Sequence, residues 1–67
     1  MVDDPDIWRA ANLLIQRHGA HAVIRAAQRA DELLDRGDVE GEGVWKRILR
    51  AINELVRTER ETGERLN

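Results

Sequence analysis

The sequence contains no cysteine, no serine, no tyrosine and no phenylalanine. The absence of cysteine excludes disulfide bonds and thiolate metal sites, and it fits a reducing compartment. The only side-chain hydroxyl groups belong to Thr58 and Thr62, near the carboxyl end of the chain. No hydroxyl or thiol nucleophile is therefore placed for covalent catalysis. We predict that the protein is not an enzyme and binds no cofactor.

Long hydrophobic runs are also absent. No stretch approaches the roughly 20 apolar residues that a membrane-spanning helix needs, and the acidic start with Asp3 and Asp4 is the opposite of the basic start of a signal peptide. These features predict a cytoplasmic protein. A chain of 67 residues buries only about 60% of the surface that it exposes when unfolded, which leaves a thin stability margin.

What the chain does contain is helical periodicity, divided by capping residues and glycines. Asp4 suits the N-cap of a first helix with Pro5 in its first position, and Asp38 suits the N-cap of a third helix. Gly19 and Gly37 follow the first and second apolar patterns, where helices commonly end, and connections this short predict sharp reversals of the chain. No segment alternates apolar and polar residues as a strand would.

We therefore predict an all-α protein, a compact three-helix bundle in which residues 1–67 form one domain. The predicted helices cover about residues 5–18, 20–36 and 39–60, and the predicted frayed tail covers residues 62–67. Dimerisation would complete such a small bundle, because it adds buried area.

The predicted core consists of apolar residues that recur at three- and four-residue steps. Its principal members are Trp8, Leu14, Trp45, Ile48 and Ile52. Aromatic burial should dominate so small a core, so both tryptophans are expected to be largely buried. Leu13 points nearly opposite to the apolar face of the first helix, and we expect it to be exposed.

The second helix carries alanines around much of its circumference. Asp31 falls inside the predicted apolar arc of this helix. That arc consists of Ala20, Val23, Ala27, Ala30 and Leu34, flanked by Ile24 on one side and by Ala26 and Leu33 on the other. A buried carboxylate needs a hydrogen-bond partner. The indole N–H of Trp8 is the expected donor.

His18 and His21 are the only histidines. Their three-residue spacing could place two imidazoles on one metal ion. Gly19 lies between them, however, and is expected to end the first helix, so the two rings should not share a face. No third ligand lies close in sequence. We predict no metal site, and we interpret His18 as a partly buried histidine at the carboxyl end of its helix.

A basic stripe marks the third helix. It is formed by Lys46, Arg50, Asn53, Arg57 and Arg60, and the second helix adds Arg25 and Arg29. Glu54 and Glu61 are expected to pair at i,i+4 with Arg50 and Arg57, which is typical of a solvated helix face. The net charge of −2 and the acidic start of the third helix do not favour nucleic-acid binding. The candidate interaction surface comprises Leu13, Arg25, Arg29, Lys46, Arg50 and Arg57.

Several spaced residues together resemble a family of very short bacterial helical proteins that is classed only as a domain of unknown function. The resemblance spans about residues 6–56 and excludes the acids before it and the segment after Arg57. It is carried by Trp8, His18-Gly19, an alanine-rich helix with Arg29, Gly37-Asp38, Gly41 and Trp45 followed by Ile48 and Ile52. It implies a compact helical unit encoded as a free-standing protein, and it brings no activity or catalytic residue.

Two functional hypotheses follow from the sequence. The first is a small helical protein-interaction module without catalytic activity, which forms a homodimer or binds another protein. The alternative is a small nucleic-acid-associated regulatory factor that uses the arginine stripes of the second and third helices. Clustering of those arginines on one face would favour the alternative, whereas an apolar patch around Leu13 would favour the interaction module.

Overall fold

A computed structural model describes the backbone of residues 4–66 and the side chains of residues 4–58. This part of the chain is all-helical and contains no strand. Its elements in chain order are α1 (Pro5–His18), a 3-10 turn (Gly19–His21), α2 (Ala22–Asp35) and α3 (Val39–Leu66). The first three run into one another as a single bent helix, and α3 packs against both of its arms. None of the described helices combines the length and the apolar character needed to cross a membrane.

The start of α1 follows the sequence signals. The side chain of Asp4 accepts a hydrogen bond of 2.9 Å from the backbone N–H of Asp6, and its carbonyl oxygen accepts one of 3.1 Å from Ile7. Pro5 occupies the first turn, where a backbone N–H would have no helical partner. Asp4 is therefore the N-cap of α1, as the sequence predicts.

The junction of α1 and α2 is a bend, and the predicted sharp reversal at Gly19 is wrong. Gly19 has φ 55° and ψ −125°, and its N–H still donates to the carbonyl of Ile15. The chain then makes one 3-10 turn, and the N–H of Ala22 donates to the carbonyl of Gly19. Helical hydrogen bonding thus resumes within a turn, so the two arms diverge from an elbow and make fewer contacts with each other than with α3.

The junction of α2 and α3, by contrast, is a true reversal. Gly37 has φ 80°, and its N–H donates to the carbonyl of Leu34 at 2.9 Å, while the N–H of Asp38 donates to the carbonyl of Leu33 at 2.8 Å. This pair of bonds is the Schellman motif, which satisfies the last carbonyls of a helix. The side chain of Asp38 then accepts a 2.9 Å bond from the N–H of Gly41 and caps α3. Asp38 therefore takes part in both the end of α2 and the start of α3.

The buried core is built largely from alanine. Its buried hydrophobic members are Ile7, Ala11, Ala22, Ala26, Ala30, Leu33, Ile48, Ala51 and Ile52. Ile52, at 0% exposure, is the largest fully buried side chain of the described residues. Residues of α1, α2 and α3 all contribute to one cluster around it, and alanines allow the backbones of the helices to approach closely.

The buried face of α2 differs from the predicted one. Ala22, Ala26, Ala30 and Leu33 are buried, which rotates the face by about 80° from the predicted arc at 100° per residue. Asp31 is exposed as a result, and the expectation that it needs a buried partner is wrong. Small side chains on the buried side allow α2 to approach α3 closely, and this orientation leaves Ile24 and Leu34 exposed.

Three further positions differ from expectation. Trp8 and Trp45 pack against the core but remain partly exposed, as does Leu14, because the alanine-rich core leaves little depth in which to enclose an indole ring.

The helix α3 continues to Leu66 rather than ending near residue 60. Residues 57–66 are rich in glutamate and arginine, which are good helix formers. The last residue of the predicted tail, residue 67, lies outside the described part.

Candidate interaction surface

The structure distributes the six candidate surface residues over three helices. Leu13 is 46% exposed, and Arg25, Lys46, Arg50 and Arg57 are exposed, whereas Arg29 is partly buried. Arg50 and Arg57 line one shallow depression on α3 together with Asn53, Glu54 and Val56. Arg25 lines a different depression, at the elbow between α1 and α2.

Three of the candidate cations are neutralised within their own helix. Arg29 forms an ion pair of 3.0 Å with Glu32. Lys46 pairs with the carboxylate of Glu42. Because an acidic neighbour already occupies each of these cations, they contribute little net positive charge to a binding surface.

Arg57, the third paired cation, forms an ion pair of 2.9 Å with Glu54. The expected i,i+4 pair of Glu54 with Arg50 is therefore wrong, because the carboxylate binds Arg57, one helical turn further along at i,i+3, through both of its oxygens. The expected pair of Glu61 with Arg57 lies outside the described side chains.

Sequence reasoning missed the burial of Glu42. The residue is only 9% exposed, which makes it the buried polar residue of the described side chains. It lies in the first turns of α3, where acidic residues favour the positive end of the helix dipole, and its position beside the apolar arc could have signalled its burial. Its ion pair with Lys46 supplies the partner that a buried carboxylate needs.

The elbow depression collects cations that the sequence analysis did not group. It is lined by Arg17, His18, His21, Ile24, Arg25 and Gln28. Neither Arg17 nor Arg25 forms an ion pair with any described residue. No acidic residue occurs between residues 7 and 30 of the sequence, so the elbow of the bent helix is positively charged.

His18 and His21 do line the same depression, and the expectation that they would not share a face is wrong. Gly19 does not reverse the chain, so the 3-10 turn keeps the two residues on one side of the bent helix. Among residues 4–58 no group of three potential metal ligands occurs. The two imidazoles thus add polar groups to a surface that already carries two unpaired arginines.

The opposite end of α2 is acidic. Residues 31–42 contain six acidic residues and one arginine, Arg36. Asp31 and Asp35 are exposed and form no ion pair with a described residue. The charge along α2 therefore changes from positive near the elbow to negative near the turn before α3.

Five large aliphatic side chains lie at the surface of the described residues, while alanines make up much of the core. The exposed ones are Leu13 at 46%, Ile24 at 54%, Leu34 at 53%, Val39 at 68% and Val44 at 41%. Val39 and Val44 line one depression at the start of α3. Single exposed aliphatic residues are common, but in this very small chain five large aliphatic side chains are exposed.

The chain matches no protein family model, no curated protein and no solved structure. The resemblance to the family of short bacterial helical proteins stays a prediction.

Proposed function

We propose that this protein is a small helical protein-interaction module that acts without catalytic activity and associates with a second copy of itself. In this proposal α1, α2 and α3 form a three-helix bundle whose dimerisation supplies buried area that one chain lacks. The alternative partner is another protein that covers the same exposed side chains.

One observation carries the proposal: the core is largely alanine, while Leu13, Ile24, Leu34, Val39 and Val44 remain between 41% and 68% exposed. Burial of apolar surface contributes roughly 25 cal/mol per Å², so a core of alanines stabilises this chain less than a core of leucines would. Covering the exposed aliphatic residues by association would add the missing contribution.

The described charges favour a protein partner over a nucleic acid. Binding to a phosphate backbone depends on cations that are free to contact it together. Arg29, Lys46 and Arg57 are already paired with glutamates, and the unpaired Arg25 and Arg50 line different depressions. We expect binding to duplex DNA and to RNA to be weak and non-specific. Fluorescence anisotropy at physiological salt measures it, and tight, sequence-dependent binding would replace this proposal with the alternative of a nucleic-acid-associated factor.

Sedimentation velocity across a hundredfold range of protein concentration tests self-association directly. The expected result is a mass that rises from the 7.7 kDa of one chain towards twice that value. Thermal unfolding should shift to higher temperature with concentration, because association stabilises only the folded state. A mass that stays at one chain, with a concentration-independent unfolding temperature, would contradict self-association and leave another protein as the partner.

A further inference from the structure

The elbow depression gathers polar side chains from both arms of the bent helix. Arg17 and His18 belong to the end of α1, and His21 belongs to the 3-10 turn. The remaining lining residues belong to α2 and are Ile24, Arg25 and Gln28. At 100° per residue, these three and His21 fall within an arc of about 100°. One surface therefore carries side chains from both sides of the bend.

The nitrogen donors of the elbow depression are available to a ligand. Neither its two arginines nor its two histidines form an ion pair with a described residue. A guanidinium presents five N–H donors, a neutral imidazole presents one and an amide presents two. Guanidinium groups bind carboxylates and phosphates through paired hydrogen bonds. This set of donors fits an anionic ligand.

The cationic surface is short. Asp31 and Asp35 follow on the same side of α2 and are exposed, and neither forms an ion pair with a described residue. Asp31 lies six residues after Arg25, which is about 9 Å along the helix axis at 1.5 Å per residue. In the other direction, Arg9 of α1 lies 3.8 Å from Asp6. A long polyanion that follows the bent helix would therefore meet carboxylates at both ends, whereas a short acidic segment avoids them.

The elbow depression also has an apolar element. Ile24 is 54% exposed and lines the depression together with Arg25 and Gln28. The depression has a volume of about 530 Å³, which is within the roughly 300–1,000 Å³ of typical ligand sites. A peptide with an aliphatic side chain next to its acidic ones would cover Ile24, whereas a phosphate ion would leave it exposed. The lining thus favours a peptide over a small inorganic anion.

We propose that the elbow depression binds an acidic segment of another protein, with carboxylates on Arg17 and Arg25 and an aliphatic side chain on Ile24. This inference rests on the proposed function as a protein-interaction module, and it names the chemistry of a partner other than a second copy. It requires no self-association. Salt screens exposed charges, so we expect a weak complex with a dissociation constant between about 1 μM and 1 mM.

Fluorescence anisotropy with short labelled peptides tests the chemistry of the ligand. The acidic peptide is rich in glutamate and contains leucine, and the comparison peptide carries glutamine in place of every glutamate. The acidic peptide should bind roughly tenfold more tightly, because only carboxylates form charge-assisted bonds with the arginines. A single-stranded DNA oligonucleotide of the same net charge is the third ligand and should bind more weakly than the acidic peptide.

Charge reversal on the two sides of the bend tests the position of the site. Arg17→Glu and Arg25→Glu should each weaken binding of the acidic peptide about tenfold, because each removes a cation and adds a like charge. Arg47→Glu is the matched control. It changes an exposed arginine of α3 that lines a different depression, and it should leave the affinity within about twofold of the parent chain. Circular dichroism verifies that all three variants are helical.

The apolar contact has its own pair of variants. Ile24→Ala should weaken binding of the acidic peptide roughly threefold, because less apolar surface is covered. Leu34→Ala is the control, since Leu34 is 53% exposed and Ile24 is 54% exposed, and Leu34 lies at the other end of α2. Equal losses in the two variants would contradict a contact at Ile24.

Backbone amide chemical shifts locate the bound peptide directly. During titration of the parent chain with the acidic peptide, the largest changes should fall within residues 17–28. The amides of residues 43–50, at the start of α3, should change little. Changes centred outside residues 17–28 would overturn the proposed site.

The other outcomes also decide. No binding of the acidic peptide at about 1 mM protein, equal binding of the neutral peptide, or an equal loss in Arg47→Glu would each overturn the inference. Tighter binding of the oligonucleotide would overturn it in favour of a nucleic-acid ligand. A chain that dimerises in sedimentation without binding the acidic peptide would refute this inference and leave self-association standing. A chain that binds the peptide at the elbow and stays a monomer would do the reverse.

Discussion

The two junctions of this molecule look alike in sequence and differ in structure. Each contains a glycine with positive φ, Gly19 at 55° and Gly37 at 80°. At Gly37 the two bonds of a Schellman motif end α2, and the chain reverses into α3. At Gly19 a 3-10 turn continues the helix after a bend. A glycine therefore marks the place where a helix is interrupted, and the residues around it decide whether the chain turns back.

The residue after each glycine explains the difference. Gly37 is followed by Asp38, whose side chain can cap a new helix in a new direction. Gly19 is followed by Ala20, which offers no side-chain cap, and α2 begins without a side-chain hydrogen bond at its N-cap. Without a cap, the backbone groups at the elbow are satisfied by continuing the helical pattern.

The largest predicted effect is on stability and comes from shortening Ile52, at the centre of the core cluster. Ile52 is fully buried in the cluster that joins α1, α2 and α3. Ile52→Ala should lower the free energy of unfolding by about 2–5 kcal/mol, and so small a chain should then be largely unfolded at room temperature. Circular dichroism during urea titration measures the loss, and Val56→Ala, which shortens a partly buried side chain of the same helix, should cost less. An equal loss in both variants would show that the cluster is not centred on Ile52.

The next effect distinguishes the two glycines. Gly19 combines φ 55° with ψ −125°, which lies outside the left-handed helical region that other residues reach, so Gly19→Ala should cost about 1–3 kcal/mol. Gly37 ends a Schellman motif, where asparagine is also accepted. Gly37→Asn should therefore be tolerated better than Gly19→Asn. Unfolding temperatures compared at one protein concentration measure all three variants, and equal losses for the two asparagine variants would mean that the junctions do not differ as described.

Removal of the cap tests the reversal itself. Asp38→Ala eliminates the bond to the N–H of Gly41 and should cost about 1 kcal/mol, which is an unfolding-temperature shift of roughly 4–8 °C for a chain of this size. Asp38→Asn retains an acceptor oxygen and should keep most of the stability. If both variants lose the same amount, the charge rather than the hydrogen bond of Asp38 stabilises the start of α3.

The smallest effect compares two glycines inside α3. A Cβ at Gly43 would meet no atom within 4 Å, whereas a Cβ at Gly41 would lie 2.6 Å from Oδ2 of Asp38. Gly43→Ala should therefore stabilise the helix by about 1 kcal/mol. Gly41→Ala should gain less or nothing, because the capping carboxylate must move. The unfolding temperatures of the two variants measure these gains. A larger gain for Gly41→Ala than for Gly43→Ala would contradict the close packing of Gly41 against the side chain of Asp38.

The sequence predicted the helix ends best where one polar side chain determines them. Asp4 and Asp38 cap α1 and α3 because their carboxylates accept backbone N–H groups within three residues, a local interaction that needs no knowledge of the rest of the fold. The conformation of Gly37 is local for the same reason.

The orientation of α2 could not be predicted in the same way. Alanine occurs on several sides of this helix, so hydrophobic periodicity depends on its few large residues. Of these, Leu33 is buried, whereas Ile24 and Leu34 are exposed. Which alanines are buried depends on how closely α3 can approach, which is a property of the tertiary structure. The exposure of Asp31 became visible only with that orientation.

The ridge of Ala22, Ala26 and Ala30 has a consequence for how this sequence can change over time. In most cores a large side chain is the sensitive position and replacement by a smaller one is harmful. On the buried side of α2, three closely packed positions hold the smallest side chain with a Cβ, so even one added methylene there would push α2 and α3 apart. Relatives that preserve this fold should therefore hardly vary at the three alanines, whereas helical cores are usually recognised by their conserved large side chains.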